Sequence, residues 1–235
     1  SYTGKAKGIT VFDVDVENGM FKERCEIEVD NSSYVIASSD GKTLYSIADE
    51  GVVSFRILPN GSLARLNSSS IRGMRGCHLC TDEEDKYVFV SGYHDGKTTV
   101  LNLNPDGSVG KIVDGVFDRG YGSVAERNFR PHVTCTRRMP DNRFVLSVDN
   151  GIDQVKIYRF NDKEQKLVQV DAIRCDLESA PRHFRYSKDG KFIYLMYELK
   201  KAIEVYTYKT GDRAPVIEKI QTISTTSTKN PDNLT

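Results

Sequence analysis

Arg182, His183 and Glu198 carry the reactive side chains of one short stretch, with Glu198 sixteen residues beyond Arg182 and set between Tyr197 and Leu199. A guanidinium binds a carboxylate or phosphate through paired hydrogen bonds, and it equally stabilises the oxyanion formed when a carbonyl is attacked. A partly buried glutamate can act as general base toward water. Together they suit hydrolysis of an ester or lactone carrying an anionic group, chemistry that needs an activated water and an oxyanion partner but no metal. The competing reading is a salt bridge at the corner of a hairpin, and the residue types alone leave both open.

The element that must position these groups is a β-hairpin. Phe184, Tyr186, Phe192, Tyr194 and Met196 alternate with other residues around a Lys188-Asp189-Gly190 turn. A turn centred there sets Glu198 opposite about Ser179, at the same end of the hairpin as Arg182.

The hairpin recurs. Ser39-Asp40-Gly41-Lys42-Thr43-Leu44-Tyr45 resembles Lys188-Asp189-Gly190-Lys191-Phe192-Ile193-Tyr194, and the runs beginning at Glu84 and Pro140 fit the same frame. With positions 40, 84, 141 and 189 as anchors the spacings are 44, 57 and 48 residues. Each anchor is followed by a β-rich run, a polar turn, a second alternating run such as VVSFRIL or QVKIYRF, another turn and a further short run. No useful stretch has apolar residues at helical spacing. Repeated four-stranded antiparallel units of this length predict an all-β fold, a β-propeller, because a lone twisted sheet cannot dry both faces and must stack on its neighbours around an axis. The first strand of each blade would then line that axis and bring Arg182 and Glu198 to one mouth of it. GITVFDVDVENGMFKER fits the second half of a further unit, and the tail TISTTSTKNPDNLT has no apolar strand of its own, so four to five blades are represented.

Composition narrows the partners. The chain has 235 residues, 38% of them hydrophobic, enough for one domain spanning 1–235. Its 33 basic and 33 acidic residues cancel, which recommends neither nucleic acid nor a membrane surface, and no apolar run is long enough to span a bilayer. The opening SYTGKAKGITVF lacks the apolar core of a signal peptide, and five scattered cysteines read as reduced thiols, so a cytoplasmic setting is expected. Cys77-His78-Leu79-Cys80 is an isolated C-x-x-C without a second pair, and on a strand its thiols point to opposite faces. No metal and no cofactor are therefore expected. G-x-S-x-G, Walker and H-E-x-x-H motifs are absent from the sequence. Asp141, Asp153 and Asp189 read as turn residues, as does His94 in Gly92-Tyr93-His94-Asp95-Gly96, for which lining the mouth is the alternative.

Five segments carry a family resemblance. YTG…GITVFDVD, SSDGKTLYSI…GVVSFRI, GCHLCTDEEDKYVFVSGYHDGKTTVLNLNPDGSVG, RPHVTCTRRMPDNRFVLSVDNGIDQVKIY and APRHFRYSKDGKFIYLMYEL together resemble the bacterial lactonase family of seven-bladed propellers. That family includes a 6-phosphogluconolactonase, and the fungal carboxy-cis,cis-muconate cyclase is similar to it. The resemblance implies a sugar-lactone hydrolase acting on a small anionic lactone, with roughly two C-terminal blades of the seven absent. It also implies a reaction centre made of the Arg of A-P-R-H, here Arg182, the Glu ending the next strand, here Glu198, and a histidine of a P-H-x-H strand. Pro131-His132-Val133-Thr134 keeps the first histidine and puts Thr134 in the place of the second. His132 is accordingly the expected proton relay. His183 and His78 occupy matching places in their repeats and are expected either to contact substrate or to hydrogen-bond between strands. Tyr197 stands where many members have Asn. The alternative to catalysis is a propeller that binds a protein or small ligand at the same mouth, and Thr134 favours it.

Overall fold

The computed structural model describes residues 7–49, 51–122 and 129–226. Tyr2-Thr3-Gly4 of the opening segment and residues 227–235 of the tail lie outside them. All regular structure among the described residues is β, and no helix is long and apolar enough to cross a membrane.

Strands β1 (Gly8–Asp15) and β2 (Met20–Glu28) form a two-stranded sheet. Four antiparallel four-stranded sheets follow, each built from consecutive strands. The first blade is β3 (Val35–Ala37), β4 (Thr43–Ala48), β5 (Gly51–Ile57) and β6 (Leu63–Ser70). The second is β7 (His78–Thr81), β8 (Tyr87–Gly92), β9 (Lys97–Leu103) and β10 (Val109–Phe117). The third is β11 (Val133–Arg138), β12 (Phe144–Asp149), β13 (Gln154–Asn161) and β14 (Lys166–Arg174). The fourth is β15 (Pro181–Tyr186), β16 (Phe192–Tyr197), β17 (Ala202–Lys209) and β18 (Val216–Ser224). These are propeller blades, as the repeat predicts. The tail differs from expectation: Ile223 pairs with Ile203 across β17 and β18, which draws Thr222–Ser224 into the sheet.

The repeat has a local cause. At the turn between the first two strands of every blade, the residue after the anchor adopts the left-handed conformation. Gly41, Asp85, Asn142 and Gly190 have φ of 68°, 50°, 55° and 69°. Each donates its backbone N–H to the carbonyl three residues back, on Ser38, Asp82, Met139 and Ser187. Gly, Asn and Asp are the residues that reach this region most easily, which is why the anchor is readable although its other positions vary.

Four apolar clusters fill the spaces between successive sheets. Ile9, Val53 and Phe55 close the first space, and Tyr45, Ile47, Leu79 and Val90 the second. Phe89, Val145, Tyr158 and Phe160 close the third, and Phe144, Leu146, Phe184, Ile193, Leu195 and Tyr197 the fourth. On β16 the buried face is Ile193, Leu195 and Tyr197, whereas Tyr194 and Met196, which the hairpin pattern put among its alternating apolar positions, are exposed. This strand is apolar on both faces, so alternation alone does not identify the buried set. Leu195→Ala should lower stability by about 2–5 kcal/mol and Tyr194→Ala by clearly less, measured by urea unfolding. Equal losses would contradict the face assignment.

Candidate active site

Arg182 reaches the axis through an irregularity. In β15 the register against β16 slips between Pro181, which faces Tyr197, and His183, which faces Met196. Arg182 is thus the extra residue of a β-bulge, a device that re-aims a side chain at a sheet edge. The same slip falls at Thr134 in β11, between Val133 and Cys135. Cys77, immediately before His78 at the start of β7, holds the matching place in the second blade. Hydrogen bonds join these places from blade to blade. Cys77 Sγ donates to the Val133 carbonyl at 3.4 Å, and Thr134 Oγ1 donates to the Arg182 carbonyl at 2.7 Å. Thr134 therefore fixes the Arg182 backbone where the resemblance calls for a histidine.

The loop before Arg182 is held by Asp153. Glu178 and Ala180 both have positive φ, 60° and 50°, a strained state for side chains with a Cβ. Asp153 is 2% exposed and accepts hydrogen bonds from the N–H groups of Glu178 and Ala180 at 2.9 and 2.8 Å. It is the clamp of this loop as well as a turn residue. Glu198 N–H donates to the Ala180 carbonyl, so Glu198 lies opposite Ala180, one residue from the position expected by counting back from the turn. Its neighbour Tyr197 is buried and donates to Glu204 at 2.6 Å, which anchors the end of β16.

Arg182 and Glu198 meet at 2.6 Å on the wall of a cavity of about 420 Å³. Its lining comes from three blades: Cys77, Tyr93, His94, Thr134, Asn150 and His183 complete most of the wall. A larger cavity of about 660 Å³ lies at the opposite ends of the first two blades, among Asp40, Glu83, Glu84, Asp85 and Asp106. Its five carboxylates face only Lys42, Arg56 and Lys86, a net negative lining that disfavours an anionic substrate, so the smaller cavity is the better candidate.

The other expected residues divide. His183 lines the cavity. His78 does not: it is fully buried on the axis, its ring 5.9 Å from that of His183 and 4.8 Å from that of Tyr34. His132 stands one layer behind the wall. Its ring stacks on Tyr93 with centroids 4.3 Å apart, and its Nδ1 donates to the Tyr93 carbonyl at 2.6 Å. The imidazole on the cavity wall from the neighbouring blade is instead His94, for which the sequence reading prefers a turn residue to a place at the mouth. Tyr93 and Asn150 occupy the places that match Glu198 in the second and third blades, a correspondence visible once the repeats are superposed on their turns.

The electrostatics keep the buried imidazoles neutral. Burial, then the guanidinium of Arg137, lowers the pKa of His78 to about 3. Burial, then Arg182 and Arg137, also lowers that of His183. Burial is the main reason His132 sits below its ordinary value. The C-x-x-C thiols are pushed up by burial, to about 12 for Cys77 and about 11 for Cys80, so neither is a thiolate at neutral pH.

Behind His132 lies a buried acid pair. Asp149 Oδ1 accepts the N–H groups of His132 and Gly151 at 2.8 and 2.9 Å. Asp149 Oδ2 and Asp118 Oδ2 are both buried without a donor among the described residues, an arrangement that one shared proton satisfies. Burial and the neighbouring Asp118 push the Asp149 pKa up to about 8. The folded state therefore keeps a proton that the unfolded chain releases near pH 4. Stability should fall as pH rises from about 4 to about 8 and level off above that. Asp149→Asn should flatten this slope, measured by urea unfolding across that range; an unchanged slope would exclude the shared proton.

An arc of four-stranded blades with an Arg–Glu pair at its axial mouth defines a β-propeller with a polar axial site. The chain belongs to the lactonase family of seven-bladed β-propellers, whose model matches residues 1–233. It is 30% identical over 240 residues to the 6-phosphogluconolactonase of Bacillus subtilis, covering 99% of this chain and 67% of that one. A protein of Formosa agariphila with the same name is 27% identical, over 90% of this chain and 64% of its own. A solved structure from Bacteroides fragilis is 30% identical with a TM-score of 0.86, covering 96% of this chain and 66% of that one. The periplasmic gluconolactonase of Pseudomonas aeruginosa, 24% identical with a TM-score of 0.86 over 96% of this chain and 66% of its own, shares the fold. The chain spans 62–67% of the length of the first curated relatives it matches.

Proposed function

We propose that the axial mouth hydrolyses a small sugar lactone bearing an anionic group, in the manner of a 6-phosphogluconolactonase. The observation that carries this is the Arg182–Glu198 pair on the cavity wall, with side chains 41% and 30% exposed, so that an entering substrate reaches both. Relatives named 6-phosphogluconolactonase support the reaction class.

Glu198 takes a proton from a water molecule as its oxygen bonds to the lactone carbonyl carbon. The carbonyl electron pair moves onto oxygen, and the oxyanion is stabilised by Arg182. When the tetrahedral intermediate collapses, the ring C–O bond breaks and the departing oxygen receives the proton held by Glu198. His94, on the same wall, is the second hydrogen-bonding group for that oxygen. His132 acts as a positioning residue: its stacking and its hydrogen bond hold Tyr93, and with it the start of the turn that carries His94. Asp153 and Thr134 fix the backbone of Arg182. Five free cysteines support a reducing, cytoplasmic setting.

The test is acid release from 6-phosphogluconolactone by the purified protein, measured against spontaneous hydrolysis. Arg182→Ala and Glu198→Gln should each lower kcat/KM by roughly 10²–10³-fold, and His94→Ala by about tenfold or more. Because the ion pair is partly solvated, the Arg182 and Glu198 variants should unfold within about 1 kcal/mol of wild type. If wild type and Arg182→Ala both run at the spontaneous rate, the hydrolase reading is overturned. The cavity is then the ligand site of a non-catalytic propeller, the reading that Thr134 favours.

A further inference from the structure

The third and fourth blades offer the mouth the same backbone frame and fill it differently. In the fourth, the Glu198 N–H donates to the carbonyl of Ala180, two residues before the bulge at Arg182. In the third, the Asn150 N–H donates to the carbonyl of His132, two residues before the bulge at Thr134. Both bonds are 2.9 Å long. Asn150 is thus carried by its blade as Glu198 is by the next, and both line the cavity of about 420 Å³.

The partners are what differ. Glu198 meets the Arg182 guanidinium at 2.6 Å, whereas Thr134, the bulge residue beside Asn150, turns its hydroxyl on the Arg182 carbonyl at 2.7 Å. Asn150 is 2% exposed, and its buried Nδ2 meets no hydrogen-bond partner among the described residues. An amide buried without a partner costs stability, and a ligand that pairs with it recovers that cost.

We propose, resting on the lactonase reading of the same cavity, that Asn150 is a substrate-binding residue that pairs with a ring hydroxyl of the lactone and selects sugar lactones over unsubstituted ones.

The amide has a donor end and an acceptor end, and rotation about Cβ–Cγ brings either to the cavity. A hydroxyl both donates and accepts, so it is the group that such a side chain matches. The amide is also uncharged. A second carboxylate at this station would add to the negative charge that an anionic substrate already meets at Glu198, and the amide does not. A site built to pair with a hydroxyl discriminates strongly against the analogue that lacks it, because its own polar group is then left unpaired.

The test is steady-state hydrolysis of 6-phosphogluconolactone and of δ-valerolactone, which has no hydroxyl, by wild type and Asn150→Ala. Each rate is referred to the spontaneous one. Wild type should favour the hydroxylated lactone at least about tenfold. In Asn150→Ala, KM for 6-phosphogluconolactone should rise about tenfold with kcat within about threefold, because a bond to a non-reacting hydroxyl is made in ground and transition state alike. kcat/KM for δ-valerolactone should be unchanged. Far-ultraviolet circular dichroism checks the fold. Should Asn150→Ala not fold, Asn150→Ser, whose side chain is too short to reach the hydroxyl, takes its place with the same expectation. A folded variant with wild-type KM, or one whose kcat falls while KM holds, overturns the assignment. If wild type hydrolyses neither lactone, the lactonase reading fails separately, and calorimetric binding of 6-phosphogluconate then tests Asn150. Its affinity should fall about tenfold in Asn150→Ala. Equal affinity in the two proteins, or no binding to wild type, overturns the role of Asn150 as well.

Discussion

Everything in this molecule depends on the burial of sheet against sheet. Each blade is apolar on both faces, and a single twisted sheet covers at most one of them. Stacking around an axis solves this, and it forces the first strands β3, β7, β11 and β15 together at the centre. The axial groups are neighbours for that reason alone: Tyr34, His78, Cys135 and His183 come from segments dozens of residues apart. Clusters such as Phe89–Val145–Phe160 and Phe144–Leu195 hold the blades at a fixed spacing. The blade-to-blade hydrogen bonds of Cys77 and Thr134 then set the height of each inner strand on its neighbour.

Guanidinium groups stand beside the axial imidazoles. Arg182 at the mouth and Arg137 below it flank His183 and His78, and burial with these guanidinium groups keeps both imidazoles neutral. A neutral imidazole gives hydrogen bonds or a lone pair but does not carry a proton charge at neutral pH. The deeper histidines are therefore better suited to holding than to relaying.

The sequence makes the periodic part of this plain and hides the part made between repeats. The anchor is legible because one backbone position per blade demands a left-handed residue, and Gly41, Asp85, Asn142 and Gly190 meet that demand. Arg182 and Glu198 are legible because they close the ends of one hairpin, so local counting places them within a residue. The bulge at Arg182 is not legible, since nothing in the residue types distinguishes it from regular pairing. His132 carries the family pattern yet stands behind Tyr93, while His94 carries none and lies on the wall. Cys135 draws no notice along the chain, because His78, whose ring nitrogen it meets, lies 57 residues away. The C-x-x-C pair, the more visible motif, divides between two environments.

The bulge has a consequence for how such a mouth changes over time. The slot held by Cys77, Thr134 and Arg182 projects toward the axis and lies outside the regular pairing of the strands. A substitution there that keeps the blade-to-blade hydrogen bond alters the group offered at the centre while leaving the frame intact. The mouth is thus a turret of stations, and a polar pair can migrate from one blade to the next by point changes without any new fold having to be invented.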